Sequence, residues 1–146
     1  MASSPTKNIF GTFTTKNEEE TLSLGVCLAE HLAKGSIIAL TGQLGAGKTC
    51  FAKGLARGLG VEEQVTSPTY TIISEYKGKE FKICHIDAYR LGGSEDFSMM
   101  GGEEVIFGED VSIIEWSEII KDIIPEYAIK VNIKIMDNEE RQIEIS

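Results

Sequence analysis

The stretch Leu40–Thr49, LTGQLGAGKT, places three glycines within six positions and follows the last one with a lysine and a threonine. Gly42, Gly47, Lys48 and Thr49 match the spacing G-x-x-x-x-G-K-[ST] of a phosphate-binding loop, or P-loop. Glycine reaches positive φ, so successive backbone N–H groups can converge on one oxyanion. The lysine ammonium reaches the β- and γ-phosphates, and the threonine hydroxyl can bind Mg²⁺. The stretch therefore predicts a site for the phosphates of a nucleotide.

The flanking residues favour this interpretation over a flexible turn that ends in a lysine. Ser36–Leu40, SIIAL, is a short apolar run that predicts a buried strand. After the loop, KTCFAKGLARGLG predicts a helix that ends at Gly58 or Gly60, and its positive N-terminal end favours anions. A strand, a glycine loop and a helix in this order are the context that a P-loop requires.

The first part of the chain predicts a strand and a helix. GTFTT, residues 11–15, has the composition of a short strand. Asn17 is predicted to be an N-cap before three glutamates, which suit the positive end of a helix. Apolar residues continue at helical spacing as far as Ala33, and Gly35 supplies the stop.

The second half predicts strands with one uncertain segment. TIISEY and FKICHID predict two strands joined by the turn KGKE, VSIIEW predicts another buried strand, and residues 128–146 predict a closing hairpin. Residues 94–107 are irregular or partly helical, with Gly101–Gly102 as a flexible joint. We expect an α/β P-loop NTPase fold, with a mostly parallel central sheet, flanking helices, antiparallel additions and a C-terminal hairpin.

Composition indicates one soluble domain. The chain has 146 residues, of which 42% are hydrophobic and 25% charged, so we expect a single domain over 1–146 with residues 1–8 poorly ordered. No apolar run approaches the roughly 20 residues of a membrane span, and no signal peptide is evident. The three cysteines are odd in number and share no C-x-x-C spacing, which argues against disulfides or zinc and for a reducing cytoplasm.

The net charge bears on the partners. It is −9, from 23 acidic and 14 basic residues. Nucleic-acid binding draws much of its affinity from cationic side chains that neutralise phosphates. We therefore expect this chain to bind RNA or DNA poorly by itself.

Two carboxylates at predicted strand ends could complete the phosphate site. Asp87 ends FKICHID and Glu115 ends VSIIE. Ligands of open α/β sheets bind at the carboxyl ends of the strands, so one carboxylate could hold Mg²⁺ while the other orients a water molecule. Taken singly, each could equally be a surface carboxylate.

Other candidates stay open at this stage. Thr66–Tyr70, TSPTY, is either a switch loop that senses the γ-phosphate or an ordinary proline turn. Trp116 contacts nucleotide or partner, or belongs to the core. His85 is better interpreted as a strand residue with satisfied hydrogen bonds than as a base. Arg90 reaches a phosphate or is solvated.

Four motifs occur in a fixed order: GQLGAGKT, TSPTY, HIDAYRL and IEWSE. Together they resemble the TsaE (YjeE) family, with TLSLG in the first helix as a further match. The resemblance covers about Asn17 to Glu118, and the hairpin after it matches in type. Many ATPases share the P-loop, whereas the conjunction of SPTY, DxYR and EW is specific.

The resemblance implies a small bacterial ATPase that uses ATP or ADP with Mg²⁺. Such proteins are required to form the threonylcarbamoyl group on adenosine beside the tRNA anticodon. They act in the cytoplasm with the TsaD and TsaB subunits, which perform the transfer, so contact with tRNA is indirect. Because no arginine finger is evident, we expect hydrolysis to be slow alone and faster with the partners.

The same resemblance implies the roles of individual residues. The catalytic residues are Lys48, Asp87 and Glu115, and the metal ligands are Thr49 and Glu115. The residues near the nucleotide are Asn17, Gly45, Ala46, Gly47, Lys48, Thr49, Cys50, Thr66, Ser67 and Trp116.

Other classes of function are considered beside this one. A small-molecule kinase commonly closes an arginine-bearing lid over the phosphates, but the arginines here are only Arg57, Arg90 and Arg141, far apart in sequence. A GTPase is disfavoured because the N-K-x-D guanine signature is absent. A non-enzymatic module that reports nucleotide state to a partner stays open.

Overall fold

The computed structural model describes residues 9–43, 45–65 and 72–146. Our expectations for residues 1–8 and for Thr66–Tyr70 lie outside the described residues. The strands are β1 (Gly11–Thr15), β2 (Ile37–Gly42), β3 (Ile73–Lys77), β4 (Lys82–Asp87), β5 (Val111–Glu115), β6 (Ile129–Ile135) and β7 (Arg141–Ile145). The helices are α1 (Glu18–Ala29), α2 (Lys48–Gly58), α3 (Ser94–Met99), α4 (Gly102–Ile106) and a 3₁₀ helix at Ser117–Ile120. No helix within the described ranges has the length and apolarity that crossing a membrane requires.

The described strands form one sheet in the order β1-β7-β6-β2-β5-β4-β3. The inner four, β6, β2, β5 and β4, pair in parallel, and the outer strands β1, β7 and β3 join antiparallel. This confirms the predicted α/β P-loop fold with its parallel centre, antiparallel additions and C-terminal hairpin. β2, predicted at Ser36–Leu40, extends from Ile37 to Gly42 and so includes the first glycine of the loop.

The register of the central strands brings both predicted carboxylates to the edge where the P-loop begins. Leu40 of β2 lies opposite Glu115 of β5, and Glu115 lies opposite Asp87 of β4. Parallel strands that end together present their last side chains at one edge of the sheet. Sequence positions far apart therefore meet beside Gly42, the last residue of β2.

Helix α1 begins as predicted and ends earlier. The side chain of Asn17 caps it by accepting a hydrogen bond from the Glu20 amide at 2.9 Å, and the Glu20 carboxylate accepts one from the Lys16 amide at 2.8 Å. The prediction that the helix continues to Ala33 is wrong, because it ends at Ala29. From Glu30 to Leu32 the amides bond to carbonyls three residues back, so the chain tightens and leaves the α-helix.

Helices α1 and α2 pack with their backbones in close contact. A Cβ on Gly54 would lie 2.1 Å from the Leu22 carbonyl oxygen, and a Cβ on Gly25 would lie 2.6 Å from the Phe51 carbonyl oxygen. Glycine at these positions lets the two helices approach more closely than any side chain would permit. The contact places the N-terminal end of α1, including Asn17, next to the P-loop.

Two apolar clusters lie on the two faces of the sheet. One holds α1 and α2 and includes Leu40, Phe51, Leu55 and Ile113. The other holds α3, α4 and the 3₁₀ helix, with Phe97 fully buried.

Gly101–Gly102 form the packed start of a helix rather than the flexible joint that we expected. Gly101 is the N-cap of α4 with φ 82°, and Gly102 is buried. A Cβ on Gly102 would lie 2.4 Å from the ring of Phe97. The second glycine is therefore required by packing, because only a hydrogen fits beneath that ring.

Candidate functional site

The loop between β2 and α2 has the backbone conformation that the glycines predicted. Gly42, Gly45 and Gly47 all have positive φ, at 149°, 80° and 108°. At Gly42 a Cβ would lie 2.5 Å from the Ile133 carbonyl oxygen of β6, so glycine is also required there for space. Gly47 is the N-cap of α2 and has no side-chain cap. The amides of the first turn of α2 thus have no cap from Gly47, which leaves the helix start suited to an anion.

Lys48 is held close to this loop. Its Nζ donates a hydrogen bond to the Gly42 carbonyl oxygen at 2.6 Å and lies 3.1 Å from the centre of the Trp116 ring. Burial lowers the pKa of Lys48 below its ordinary value, while Glu118, Glu115 and Asp87 act in the opposite direction. The ammonium is therefore kept in the loop by a carbonyl, a ring face and three nearby carboxylates.

Thr49 and Glu115, the two residues proposed to bind metal, are in direct contact. Thr49 Oγ1 donates to Glu115, with distances of 3.1 Å to Oε1 and 3.3 Å to Oε2. Glu115 is only 3% exposed. Its carboxylate faces the threonine at the first turn of α2. In a P-loop the hydroxyl of that threonine binds Mg²⁺, so a carboxylate at this distance could bind the same ion.

The oxygen donors of this pair fit Mg²⁺ shared with phosphates. Among the described residues, no group of three or more His, Cys, Asp or Glu side chains could hold a metal ion. Mg²⁺ is usually held by one or two carboxylates together with substrate phosphates and water, rather than by a cage of protein ligands. One hydroxyl and one carboxylate beside a phosphate loop match that requirement.

Asp87 lies at the same edge, on the strand next to Glu115. Its Oδ1 accepts a hydrogen bond from the Tyr89 amide at 3.0 Å, which fixes the carboxylate at the point where β4 ends. Asp87 is partly exposed, in contrast to buried Glu115. The more exposed of the two carboxylates is thus the one with access to water.

Trp116 has a strained backbone, and its ring has an aromatic and a cationic neighbour. Its φ of 60° lies in the left-handed region, which is uncommon for a residue with a large side chain. The ring contacts Tyr89, with centroids 4.8 Å apart, and carries Lys48 on its face. Backbone strain of this kind clusters at ligand sites.

Two residues of this site were not assigned from the sequence. His85 Nε2 lies 2.6 Å from Glu115 Oε2, so the histidine that we interpreted as a satisfied strand residue contacts a proposed metal ligand. Arg141 of β7 donates from Nε to the Ala46 carbonyl oxygen at 3.0 Å and from Nη2 to that of Gly45 at 3.4 Å. The only sequence signal for either was its residue type, since both contacts depend on strand register or on the hairpin.

The residues surround a cleft of about 630 Å³. It is lined by Lys16, Asn17, Glu18, Thr21, Gly45, Ala46, Gly47, Lys48, Thr49, Cys50, Asp87, Tyr89, Glu115, Trp116, Glu139 and Arg141. Cys50 Sγ donates to the Glu18 carbonyl oxygen at 3.2 Å, and burial raises the pKa of its thiol. All the predicted site residues that the structure describes thus line one cleft, while Thr66 and Ser67 lie outside the described residues.

The fold and this cleft define a class of protein. A buried parallel strand leads into a glycine loop, the loop leads into a helix, and two carboxylates lie at the adjacent strand ends. This is the architecture of P-loop nucleotide-binding proteins.

Comparison with known proteins identifies the family. The model of the family "Threonylcarbamoyl adenosine biosynthesis protein TsaE" matches residues 15–143, and the chain belongs to this family. A relative from Treponema pallidum, named tRNA threonylcarbamoyladenosine biosynthesis protein TsaE, is 38% identical over 132 residues, covering 90% of this chain and 97% of the relative. A protein of the same name from Bacillus subtilis is 39% identical over 130 residues, covering 88% and 80%.

A solved structure is similar to this chain in both fold and sequence. The crystal structure of Bacillus subtilis YdiB is similar to this chain with a TM-score of 0.74 and 34% identity. The similarity covers 92% of this chain and 82% of YdiB. The predicted resemblance to the TsaE family is confirmed.

Proposed function

We propose that this protein binds ATP and its product ADP in the cleft and hydrolyses ATP with Mg²⁺ in support of tRNA threonylcarbamoyladenosine formation. The observation that carries the proposal is the convergence of Lys48, Thr49 and Glu115 on one glycine loop in a cleft of about 630 Å³. A cleft of that volume is in the range of small-molecule and cofactor sites.

Each residue has a physical role in this proposal. The loop amides from Gly45 to Cys50 donate hydrogen bonds to the phosphate oxygens, and Lys48 balances the negative charge of those oxygens. Thr49 and Glu115 hold Mg²⁺, which when bound neutralises charge on the phosphates. Asp87, partly exposed beside Glu115, orients the attacking water molecule.

Other residues position the nucleotide in the proposal. Asn17 lines the cleft at the start of α1, and Trp116 forms one wall with Lys48 against its ring. An incoming phosphate competes with the Gly42 carbonyl and the Trp116 ring for the Lys48 ammonium. Nucleotide binding should therefore change the environment of the only tryptophan in the chain. Thr66 and Ser67 are proposed, from the family resemblance alone, to contribute the switch loop.

The biological role follows from family membership. Relatives bear the name tRNA threonylcarbamoyladenosine biosynthesis protein, and we propose that this chain acts in that process in the cytoplasm with the TsaD and TsaB subunits. A net charge of −9 supports indirect rather than direct contact with tRNA. Hydrolysis supports turnover by the partners rather than modification of a metabolite by this chain.

The experiment is a steady-state ATPase assay with and without purified TsaD and TsaB. We expect slow Mg²⁺-dependent hydrolysis by the protein alone and a higher rate with both partners. The matched variants are Asp87→Asn, which should lose hydrolysis and retain nucleotide binding, and Asp110→Asn, a carboxylate outside the cleft that should behave as wild type.

The outcomes separate the alternatives. A rate unaffected by the partners would favour an independent enzyme. Nucleotide binding that changes partner affinity without hydrolysis would favour the non-enzymatic module.

A further inference from the structure

His85 and Glu115 form a buried contact that the proposed roles above do not use. Their side chains are 1% and 4% exposed, and Nε2 lies 2.6 Å from Oε2. In the register of β4 and β5, His85 lies opposite Ile113 and Asp87 lies opposite Glu115. Side chains alternate along a strand, so His85, Asp87 and Glu115 project from the same face of the sheet. His85 precedes Asp87 by two residues on β4, so its side chain contacts Glu115 diagonally across the two strands.

The role proposed for Glu115 implies a direction for this hydrogen bond. A carboxylate that binds Mg²⁺ is ionised and only accepts, so in that role Nε2 of His85 is the donor. Thr49 Oγ1 is nearer to Oε1 than to Oε2, at 3.1 Å and 3.3 Å. Oε2 of Glu115 therefore contacts both the interior imidazole and the threonine hydroxyl, and Oε1 contacts the threonine hydroxyl.

The other ring nitrogen of His85 makes no hydrogen bond within the described part of the chain. This nitrogen, Nδ1, is buried and has no hydrogen-bond partner among those residues. A buried polar ring with one nitrogen unsatisfied packs less favourably than an apolar side chain of similar size. The benefit of histidine at this position lies in its contact with Glu115 rather than in packing.

We propose that His85 is a positioning residue that fixes Glu115 in the orientation required to bind Mg²⁺. The inference rests on the proposed function, in which Thr49 and Glu115 are the metal ligands. A glutamate side chain has three rotatable bonds, and a hydrogen bond from a rigid buried ring restricts them before the cation arrives. Hydrogen bonds from an outer shell of residues to ligating groups commonly change metal affinity by about 10- to 100-fold.

The first test measures Mg²⁺ affinity rather than activity. ADP binding is measured by calorimetry in EDTA and over a Mg²⁺ titration, for wild type, His85→Met and His85→Gln. Methionine fills the space without a donor, so the Mg²⁺ concentration for half-maximal effect should rise about 10- to 100-fold. Glutamine retains an N–H near the position of Nε2 and should recover most of the wild-type response. ADP affinity in EDTA should stay unchanged in both.

Cys84→Ala is the matched control. Cys84 precedes His85 on β4, is buried, and directs its thiol towards Asp110 at 3.6 Å rather than towards Glu115. It should lower thermal stability and leave the Mg²⁺ titration unchanged. If Cys84→Ala shifts the titration as much as His85→Met does, the effect is general to damage in β4 and the inference is overturned.

The second test needs no variant of His85 to fold. Nitrogen NMR of the metal-free wild-type protein reports which ring nitrogens carry hydrogen, and His31→Gln assigns the signals, since the chain has two histidines. A hydrogen on Nε2 of His85 supports the inference, and Nε2 without one overturns it.

Failure of the inference is distinguishable from failure of the proposed function. If Mg²⁺ does not affect ADP binding to the wild-type protein, the proposed metal site is wrong. If the wild type responds to Mg²⁺ and His85→Met responds equally, only the role of His85 is wrong.

Discussion

Two helices in this molecule begin in the same way and differ in what they can bind. Gly47 precedes α2 with φ 108° and Gly101 precedes α4 with φ 82°, and neither helix has a side-chain cap. A Cβ on Gly47 would meet only a methyl carbon of Thr21 at 3.8 Å, which leaves the start of α2 open to the cleft. At α4 a Cβ on Gly101 would meet nothing within 4 Å among the described residues, and the glycine after it, Gly102, is covered by the ring of Phe97.

The charges at the two helix starts differ as well. The first turn of α2 contains Lys48 and no acidic residue, whereas that of α4 contains Glu103 and Glu104. Carboxylates at the start of α4 would repel a phosphate that the helix end attracts. A glycine at a helix start is therefore insufficient for phosphate binding. The position after a central parallel strand and the cation in the first turn distinguish α2 from α4.

Replacing Lys48 should have the largest effect, because it removes the cation that distinguishes the start of α2 from that of α4. Lys48→Ala removes the cation and the hydrogen bonds that we propose it donates to phosphate, worth about 1.5–3 kcal/mol, so nucleotide affinity should fall about 10- to 100-fold. Calorimetry measures the affinity directly, and the change in Trp116 fluorescence on adding nucleotide should be lost. Lys53→Ala, one turn further along α2, is the matched control and should bind normally. Unchanged affinity in Lys48→Ala would mean that nucleotide binds elsewhere.

Replacing a glycine at each helix start should give opposite phenotypes. Gly102→Ala forces a methyl group against Phe97 and should cost about 1–3 kcal/mol of unfolding free energy, with normal nucleotide binding. Gly47→Ala has space for the methyl group but strains the backbone by about 1–2 kcal/mol at positive φ, so affinity should fall as the loop relaxes. Urea denaturation and calorimetry on both variants provide the check. If Gly102→Ala weakens nucleotide binding as much as Gly47→Ala, the two helix starts are coupled and the comparison fails.

The parts of the site that the sequence predicted are those encoded locally. Gly42 to Thr49 are contiguous, and the apolar runs that end at Asp87 and Glu115 define where two strands stop. Because parallel strands in an α/β sheet end at a common edge, these local patterns also predicted that the carboxylates lie near the loop.

The parts that were missed depend on register and on close packing. The contact of His85 with Glu115 requires a diagonal across β4 and β5, and spacing along one strand carries no information about it. Gly25 and Gly54 are required because α1 and α2 pack with their backbones in contact, and the sequence alone does not show that contact. The early end of α1 at Ala29 reflects a tighter turn with i−3 hydrogen bonds, which the helical spacing of apolar residues does not distinguish.

Replacing Arg141 should have the smallest effect on nucleotide affinity. It tests whether the C-terminal hairpin helps to hold the loop before α2. The Arg141 guanidinium bonds the carbonyl oxygens of Ala46 and Gly45. The Ala46 carbonyl shares a peptide unit with the Gly47 N–H, which we propose donates to phosphate, whereas the Ala46 N–H donates to the Gln43 carbonyl oxygen at 3.0 Å. Holding the carbonyls fixes the direction of the N–H groups before nucleotide arrives. Arg141→Gln should lower nucleotide affinity about 2- to 10-fold, since each such hydrogen bond contributes about 0.5–1.5 kcal/mol.

Two controls separate this geometry from simple loss of charge. Arg57→Gln removes the same charge from the exposed face of α2 and should leave calorimetric affinity unchanged. Arg141→Lys retains the charge but lacks the planar fork that spans two carbonyls, so it should bind nucleotide nearly as weakly as Arg141→Gln. Wild-type affinity in Arg141→Lys would show that charge alone suffices. In that case the preorganisation of the P-loop would come from its own glycines and from the end of β2, without help from the C-terminal hairpin.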